Sequence, residues 1–236
     1  MDLRFAKRAL SPILGLLLFL QAGLVVTGGV VRITGSGLGC PTWPRCTGGS
    51  FTPVPHQAQG QLHAWIEFGN RLLTFSLVLT SLIALLTVLY LRRRDIRALA
   101  IGQLLGIFAQ IPLGGITVLT HLNPFAVASH FLLSIALIAA GTSLFSRRRE
   151  PALHSEVEAG QSGENVKHRT LLIGHRIFTL VVIVAGALVT GAGPNAGDAS
   201  APRFRIGYHD IAWIHANLVI ALFLFTVLTY LLLGQC

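Results

Sequence analysis

Five polar side chains stand inside long apolar stretches of this 236-residue sequence: Glu67, Asn70, Arg71, His130 and His215. Polar and ionisable groups are costly to place in a lipid bilayer, so each of them is a functional candidate. Glu67 and Arg71 are four residues apart, which on a helix puts them on one face and within pairing distance. The pair is either an internal ion pair that fixes helix packing or part of a polar site that faces the interior of a bundle.

Asn70, His130 and His215 share a predicted depth. Each lies six or seven residues from the expected outer end of its apolar segment, which is roughly 10 Å along a helix. Imidazoles on facing helices hold haem iron in many helical bundles, so the two histidines are candidate iron ligands; the alternative is a packing role. Zinc needs three or four ligands close together, and the sequence shows no such cluster. His175, beside Arg176, is interpreted as an interfacial residue.

Cys40 and Cys46 form a C-x5-C pair in a loop rich in proline and glycine. The topology derived below places this loop outside the cell, where disulfides persist. A structural disulfide across so short a ring would give modest stabilisation. A redox-active pair is the alternative interpretation.

Six apolar segments must position these residues, and each is near the roughly 20 residues that span a bilayer. The chain is 53% hydrophobic and 11% charged, whereas a soluble domain carries about 25% charged residues. This composition indicates an α-helical membrane protein and excludes a soluble one. The predicted spans are 10–31, 63–91, 98–119, 125–145, 171–192 and 208–233.

The net charge of +9 reflects topology rather than nucleic-acid binding, because the basic residues flank apolar segments. We therefore expect no nucleic-acid partner. Cytoplasmic loops are enriched in Lys and Arg, so the N-terminus and the loops 92–97 and 147–169 are predicted to be cytoplasmic. The loops 32–62, 120–124 and 193–207 then lie outside. The chain is predicted to be a multi-pass protein of the cell membrane.

A faint internal repeat relates the first and fifth spans. The first ends in Val26-Thr27-Gly28-Gly29 and the fifth in Val189-Thr190-Gly191-Ala192, and each is followed by an outer loop and a span with polar residues. This pattern indicates duplication of a helical bundle. The predicted fold is all-α with six transmembrane helices. Residues 1–146 form a four-helix bundle, 147–169 a cytoplasmic linker, and 170–236 a partial second copy of two spans.

Four sequence motifs resemble those of the haem A synthase family, in its actinobacterial style. Together they extend over much of the chain, and the first of them, in the outer loop, is the most specific. The motifs are 28–46 (GGVVRITGSGLGCPTWPRC), 66–71 (IEFGNR), 113–119 (LGGITVL) and 128–132 (ASHFL).

The resemblance implies a membrane oxidoreductase that oxidises a methyl group of haem O to a formyl group, giving haem A for terminal oxidases. It also implies eight spans in two four-helix halves, with the substrate haem in the first half and a haem b in the second. By resemblance, Glu67 is the catalytic or substrate-orienting acid. His130 is a ligand of the substrate haem, and His215 is a ligand of haem b. Arg71 and Asn70 are expected to bind substrate. Arg71 or the outer arginines are expected to pair with the haem propionates, since a guanidinium suits carboxylate geometry.

Two departures from the family pattern shape the expectations. Asn70 stands where many relatives have histidine, so His130 is expected to matter more for haem binding. The chain ends after its sixth span, so the two spans that complete the second half, with the other haem b ligand, are expected to be missing. We therefore expect weak haem binding in the second half.

Three functions are kept open by the sequence. The first is haem A synthesis, with haem O, the bilayer, haem O synthase or oxidase assembly factors, and a second copy of the chain as expected partners. The second is a non-catalytic haem-binding protein, acting as a carrier or an oxidase-assembly partner. A transporter is a third choice, because transporters share this kind of repeat.

Overall fold

The computed structural model describes residues 3–148 and 164–233, and within these ranges the regular structure is entirely helical. All six predicted spans are confirmed as helices, and the search of the described residues finds each of them long and apolar enough to cross a membrane. The protein is therefore a multi-pass membrane protein. The helices are α1 (Leu3–Ile33), α2 (Gln61–Tyr90), α3 (Arg94–Leu119), α4 (Pro124–Ser146), α5 (Glu164–Ala192) and α6 (Tyr208–Leu233).

The helices form because a chain in lipid must satisfy its backbone N–H and C=O groups internally. Their lengths of 23 to 31 residues correspond to roughly 35–46 Å, more than the ~30 Å hydrocarbon core. The helices therefore extend beyond the apolar runs into polar flanks. The start of α4 has a clear local signal. Pro124 occupies its first turn, and the Asn123 side chain accepts a hydrogen bond from the Phe125 N–H at 3.0 Å.

The first four helices form a closed bundle. α1 packs against α2 and α4, and α3 packs against the same two helices. Each helix therefore has two neighbours, as in an antiparallel four-helix bundle. The apolar core of the bundle consists of Leu10, Leu14, Leu17, Leu77, Ala84, Val88, Ile96, Ala100, Ile107, Leu137 and Leu144.

A buried amide pair links three of these helices. Gln21 of α1 donates from Nε2 to Oε1 of Gln103 in α3 at 2.5 Å, and Gln103 donates in turn to the Leu137 carbonyl of α4 at 2.9 Å. Both glutamines are almost fully buried. Gly141 of α4 lies against them, so the absence of a side chain there makes room for the Gln21 amide.

The bundle has two different ends. At the arginine end, which comprises residues 91–93 and 147–148, Arg93 pairs with Asp95 at 2.7 Å. Arg93 also donates to the carbonyls of Arg147 and Arg148 at 2.8 and 3.2 Å, which caps the last turn of α4. The loop end carries the α1–α2 connection, 34–60, and the α3–α4 connection, 120–123.

A short segment from later in the chain, 194–203, groups with the first bundle. Arg32 donates from Nε to the Asn195 carbonyl at 2.6 Å, and Gly37 donates to the Gly197 carbonyl at 2.8 Å. Ala196 and Ala201 pack with Leu122 in a small apolar cluster. These contacts place the segment at the loop end of the bundle.

The second compact unit contains the hairpin of α5 and α6. His175 stacks on Phe225 with ring centroids 5.6 Å apart, and Phe178 approaches the same ring at 6.2 Å. The predicted linker 147–169 falls mostly on residues 149–163, which lie outside the described residues. Its last six residues are already helical, because α5 begins at Glu164.

We predict that Gly141→Ala destabilises the bundle by about 1–3 kcal/mol, because overpacking a filled core forces neighbours to move. The added methyl carbon would lie 2.5 Å from Gln21 Oε1 and 3.4 Å from Gln103 Nε2. Thermal unfolding followed by circular dichroism in detergent measures the loss. Gly102→Ala is the matched control on an exposed face of α3, where an added methyl meets nothing within 4 Å. Equal melting temperatures for the two variants would contradict the packing described.

Candidate functional site

One face of α2 holds the loop 34–60, here called the disulfide loop. His63, Glu67 and Arg71 follow one another at intervals of four residues and so share this face. Each of them bonds to the loop. Ser36 Oγ lies 2.9 Å from His63 Nδ1, and the other two residues bond to the loop's backbone. His63 was not predicted as a contact residue, although its spacing from Glu67 is the signal that could have found it.

Both carboxylate oxygens of Glu67 accept hydrogen bonds. Oε2 accepts the backbone N–H of Cys40 at 2.7 Å, and Oε1 accepts a hydrogen bond from Arg71 Nη2. The side chain is only 7% exposed. A buried carboxylate needs this number of partners, because an unpaired buried charge is strongly destabilising.

Arg71 binds three carbonyl oxygens of the disulfide loop in addition to Glu67. Nη2 donates to Cys40 O at 2.8 Å, and Nη1 donates to Thr42 O at 3.2 Å and Arg45 O at 3.3 Å. The planar guanidinium presents donors in a fixed fork, which a lysine cannot reproduce. The Glu67–Arg71 pair therefore lies inside the structure as an ion pair whose partners include loop backbone.

The predicted Cys40–Cys46 disulfide is present, and both cysteines are fully buried. The loop backbone lies directly on α2 at Gly39, where a side chain would collide with the backbone of His63 and Ala64. Gln57 donates to the Gly39 carbonyl from the other side. Glycine is therefore required at position 39 by close approach rather than by backbone conformation.

His130 of α4 faces α3 at Gly114. A methyl carbon at Gly114 would lie 3.3 Å from His130 Cε1. Neither ring nitrogen makes a hydrogen bond within the described ranges, and Nδ1 is buried without a partner. The backbone of His130 is well held, since its carbonyl accepts from Gln110 and from Ser134, both at 3.0 Å. A buried polar atom without a protein partner is uncommon, and an imidazole nitrogen without a partner is available to bind a metal.

His215 of α6 repeats this arrangement in the second unit. A methyl carbon at Gly186 of α5 would lie 3.0 Å from His215 Cε1, and Nδ1 of the ring is again buried without a partner among the described residues. In both hairpins the histidine of the second helix packs against a glycine of the first.

Asn70 behaves differently from the histidines. Its amide donates to Thr27 Oγ1 at 2.7 Å and to the Leu24 carbonyl at 3.4 Å, which ties α2 to α1. Thr27 in turn donates to the Gly23 carbonyl at 3.0 Å. A substrate-binding role for Asn70 stays a prediction.

The tryptophan of the disulfide loop, Trp43, lies against α3 at Gly115. The next residue back along α3 is Gly114, which faces His130. The structure thus brings together the disulfide loop, its two anchors Glu67 and Arg71, and the two neighbouring glycines of α3. The sequence alone gave no reason to connect Trp43 with Gly115.

The fold and the site define a class: a multi-pass helical membrane protein whose hairpins carry uncommitted imidazoles and whose first bundle is covered by an anchored disulfide loop. The chain belongs to the cytochrome oxidase assembly protein family, COX15-CtaA, whose family model matches residues 12–203.

Curated relatives agree with this assignment, and each of the following is named "Heme A synthase". The chain is 28% identical to the protein of Geobacillus kaustophilus, over 59% of this chain and 44% of the relative. It is 30% identical to that of Lysinibacillus sphaericus, over 77% of this chain and 56% of the relative. It is 30% identical to a protein of Bacillus cereus, over 79% of this chain and 57% of the relative. The chain spans about half the length of the curated relatives it matches.

We predict that Arg71→Lys loosens the disulfide loop and makes the Cys40–Cys46 bond reducible roughly tenfold faster or more, because hydrogen bonds to a charged group contribute about 1.5–3 kcal/mol each. Both sulfurs are buried, so reduction requires the loop to open. The rate of thiol appearance under dithiothreitol measures it. Arg205→Lys, the same change at an exposed arginine, is the control. Equal rates in the two variants would show that the loop does not depend on the guanidinium fork.

Proposed function

We propose that the chain acts as a haem A synthase, an oxidoreductase that oxidises a methyl group of haem O to a formyl group for terminal oxidase assembly. The observation that carries the proposal is the uncommitted imidazole of His130, held against Gly114 in the bundle that the disulfide loop covers. Family membership and the names of the relatives support the same reaction.

The residues present fit a haem group. A buried ring nitrogen without a partner is unfavourable unless another group completes the site, and imidazole is a common haem ligand. The glycine opposite each histidine lets the ring pack directly against the neighbouring helix, which fixes where the imidazole stands. We assign His130 to the substrate haem and His215 to a haem b in the second half. Bound haem would supply the iron-centred redox chemistry that oxidation of a methyl group needs.

Glu67 is proposed as the acid of the site, and Arg71 as its partner. The Cys40 N–H and the Arg71 guanidinium fix the carboxylate in one orientation. A carboxylate that takes part in proton transfer must be held in a fixed orientation in this way. Arg71 is also the proposed contact for a propionate of the substrate through Nε, because its Nη hydrogens are used by Glu67 and the loop carbonyls.

The proposal includes a location and a division of the chain. Arg92 and Arg147 are exposed at the arginine end of the bundle, and Arg94 and Arg97 are exposed in the adjoining first turn of α3. Basic residues concentrate on the cytoplasmic side, so the N-terminus is proposed to be cytoplasmic and the disulfide loop to lie outside the cell membrane. The first half, 1–146, would hold substrate, and 170–236 would belong to a second half.

A second candidate function has a specific observation in its favour. Both oxygens of Glu67 are occupied by the loop and by Arg71, which is an arrangement that a purely structural residue would show. A haem carrier or an oxidase-assembly partner would need His130 but no available acid. Purified chain in lipid nanodiscs, supplied with haem O and a reductant in air, distinguishes the two functions. Chromatographic detection of haem A supports the synthase, and haem binding without conversion supports the carrier.

We predict that His130→Ala removes the haem absorption bands of the first half, whereas Asn70→Ala changes them little. The imidazole of His130 makes no protein hydrogen bond, while the amide of Asn70 is used to hold α1. Absorption spectra normalised to folded protein provide the comparison. A larger spectral change in Asn70→Ala would refute the assignment of His130 as the ligand.

We predict that Glu67→Gln lowers haem A formation roughly hundredfold, a typical loss for a missing acid or base, while haem binding persists. The matched control is Asp95→Asn, the same change in the ion pair at the arginine end. Conversion at the wild-type rate would remove Glu67 from the reaction. A variant that no longer accumulates, or whose disulfide becomes reducible, would assign Glu67 to holding the loop.

A further inference from the structure

The indole of Trp43 packs on α3 at Gly115, a position where any larger residue would collide with the ring. A methyl carbon built at Gly115 would lie 2.6 Å from Cδ2, 2.8 Å from Cε2 and 3.1 Å from Cε3 of the indole. Three ring atoms this close show that the indole rests on the helix backbone itself. The contact joins the disulfide loop to the helix that faces His130.

The contact position of Trp43 on α3 is next in sequence to that of His130. Gly114, which faces the His130 ring, immediately precedes Gly115, so the two glycines are ~1.5 Å apart along α3 and about 100° apart around it. The indole and the imidazole therefore contact adjacent sides of α3 at nearly the same height. A planar group held by His130 would have the indole as a neighbour at the loop end.

The backbone on both sides of Trp43 is fixed. Arg71 Nη1 donates to Thr42 O before it and to Arg45 O two residues after it. The Cys40–Cys46 disulfide closes the ring in which Trp43 lies. A hydrophobic side chain held by this many contacts has little freedom to move away, so its position is a property of the loop anchors.

We propose that Trp43 is a positioning residue for the haem held by His130, with its indole forming the aromatic wall of that site at the loop end. The inference rests on the proposed function. Aromatic surfaces stack favourably on one another, and a large indole also excludes water from the neighbouring metal ligand. The contact with Gly115 fixes the position of the indole.

The test uses the full chain in nanodiscs, titrated with haem in the apo form, with Trp43→Ala and Trp43→Phe. We expect Trp43→Ala to weaken haem binding roughly tenfold, the upper range for an aromatic contact. It should also shift the haem reduction potential and absorption maximum. Trp43→Phe should give a smaller shift of the same kind. Trp65→Ala, which removes a half-exposed tryptophan of α2, is the control and should leave all three quantities unchanged.

Gly115→Ala supplies an independent arm, because it displaces the indole without removing it. It should reproduce the effect of Trp43→Ala, and it should add nothing when Trp43 is already alanine. If Trp43→Ala does not accumulate, the haem affinity, reduction potential and absorption maximum of Trp43→Phe and Gly115→Ala test the inference.

Unchanged affinity, potential and spectrum in these variants would overturn the inference and leave the indole as packing between loop and helix. That result would leave the proposed function intact, because His130→Ala would still abolish haem binding in the first half. First-half haem bands that survive His130→Ala, in a chain whose second-half haem is removed by His215→Ala, would instead overturn the proposed function.

Discussion

The ion pair of Glu67 and Arg71 is the interaction on which the loop end of the first bundle depends. Between them the two side chains satisfy one N–H and three C=O groups of an irregular loop. Irregular backbone has no partners of its own, and near a membrane it cannot rely on water. The pair therefore stabilises through charge-assisted hydrogen bonds as well as mutual attraction. The structural part of the pair's role is to hold this loop against α2.

The three membrane hairpins provide an internal comparison for the histidines. In the hairpin of α1 and α2, the polar residue is Asn70, and it makes the hydrogen bonds expected of a buried packing residue. In the hairpins of α3 with α4 and of α5 with α6, the residue is histidine, and the ring makes none within the described residues. Each histidine also faces a glycine. A packing role accounts for the asparagine, and the lack of ring hydrogen bonds at His130 and His215 is the observation that supports their proposed role as metal ligands.

The fold could be predicted from the sequence because lipid reduces the options of the chain to helices, and hydropathy alone then locates them. The Glu67–Arg71 pair followed from its four-residue spacing, and the disulfide from two cysteines in one outer loop. The partners of the pair could not be predicted, since hydrogen bonds to backbone carbonyls leave no pattern in side-chain types. Two further features could not be predicted for a related reason. They are the packing of Trp43 on Gly115 and the grouping of 194–203 with the first bundle. Both depend on close approach of segments far apart in the chain.

Because Glu67, Arg71 and the loop backbone share their hydrogen bonds, they act as one cooperative unit. Removing either charged side chain takes the charged partner from the other and leaves only its loop contacts, so the effects of single substitutions overlap instead of adding. The same reasoning extends to Trp43, whose neighbours Thr42 and Arg45 are held by Arg71. The loop therefore connects α2 and α3 through contacts of its own, in addition to the direct packing of the two helices. The ion pair on α2 and the contact of Trp43 with Gly115 on α3 are thus joined through one loop, at the residue next to the glycine that faces His130.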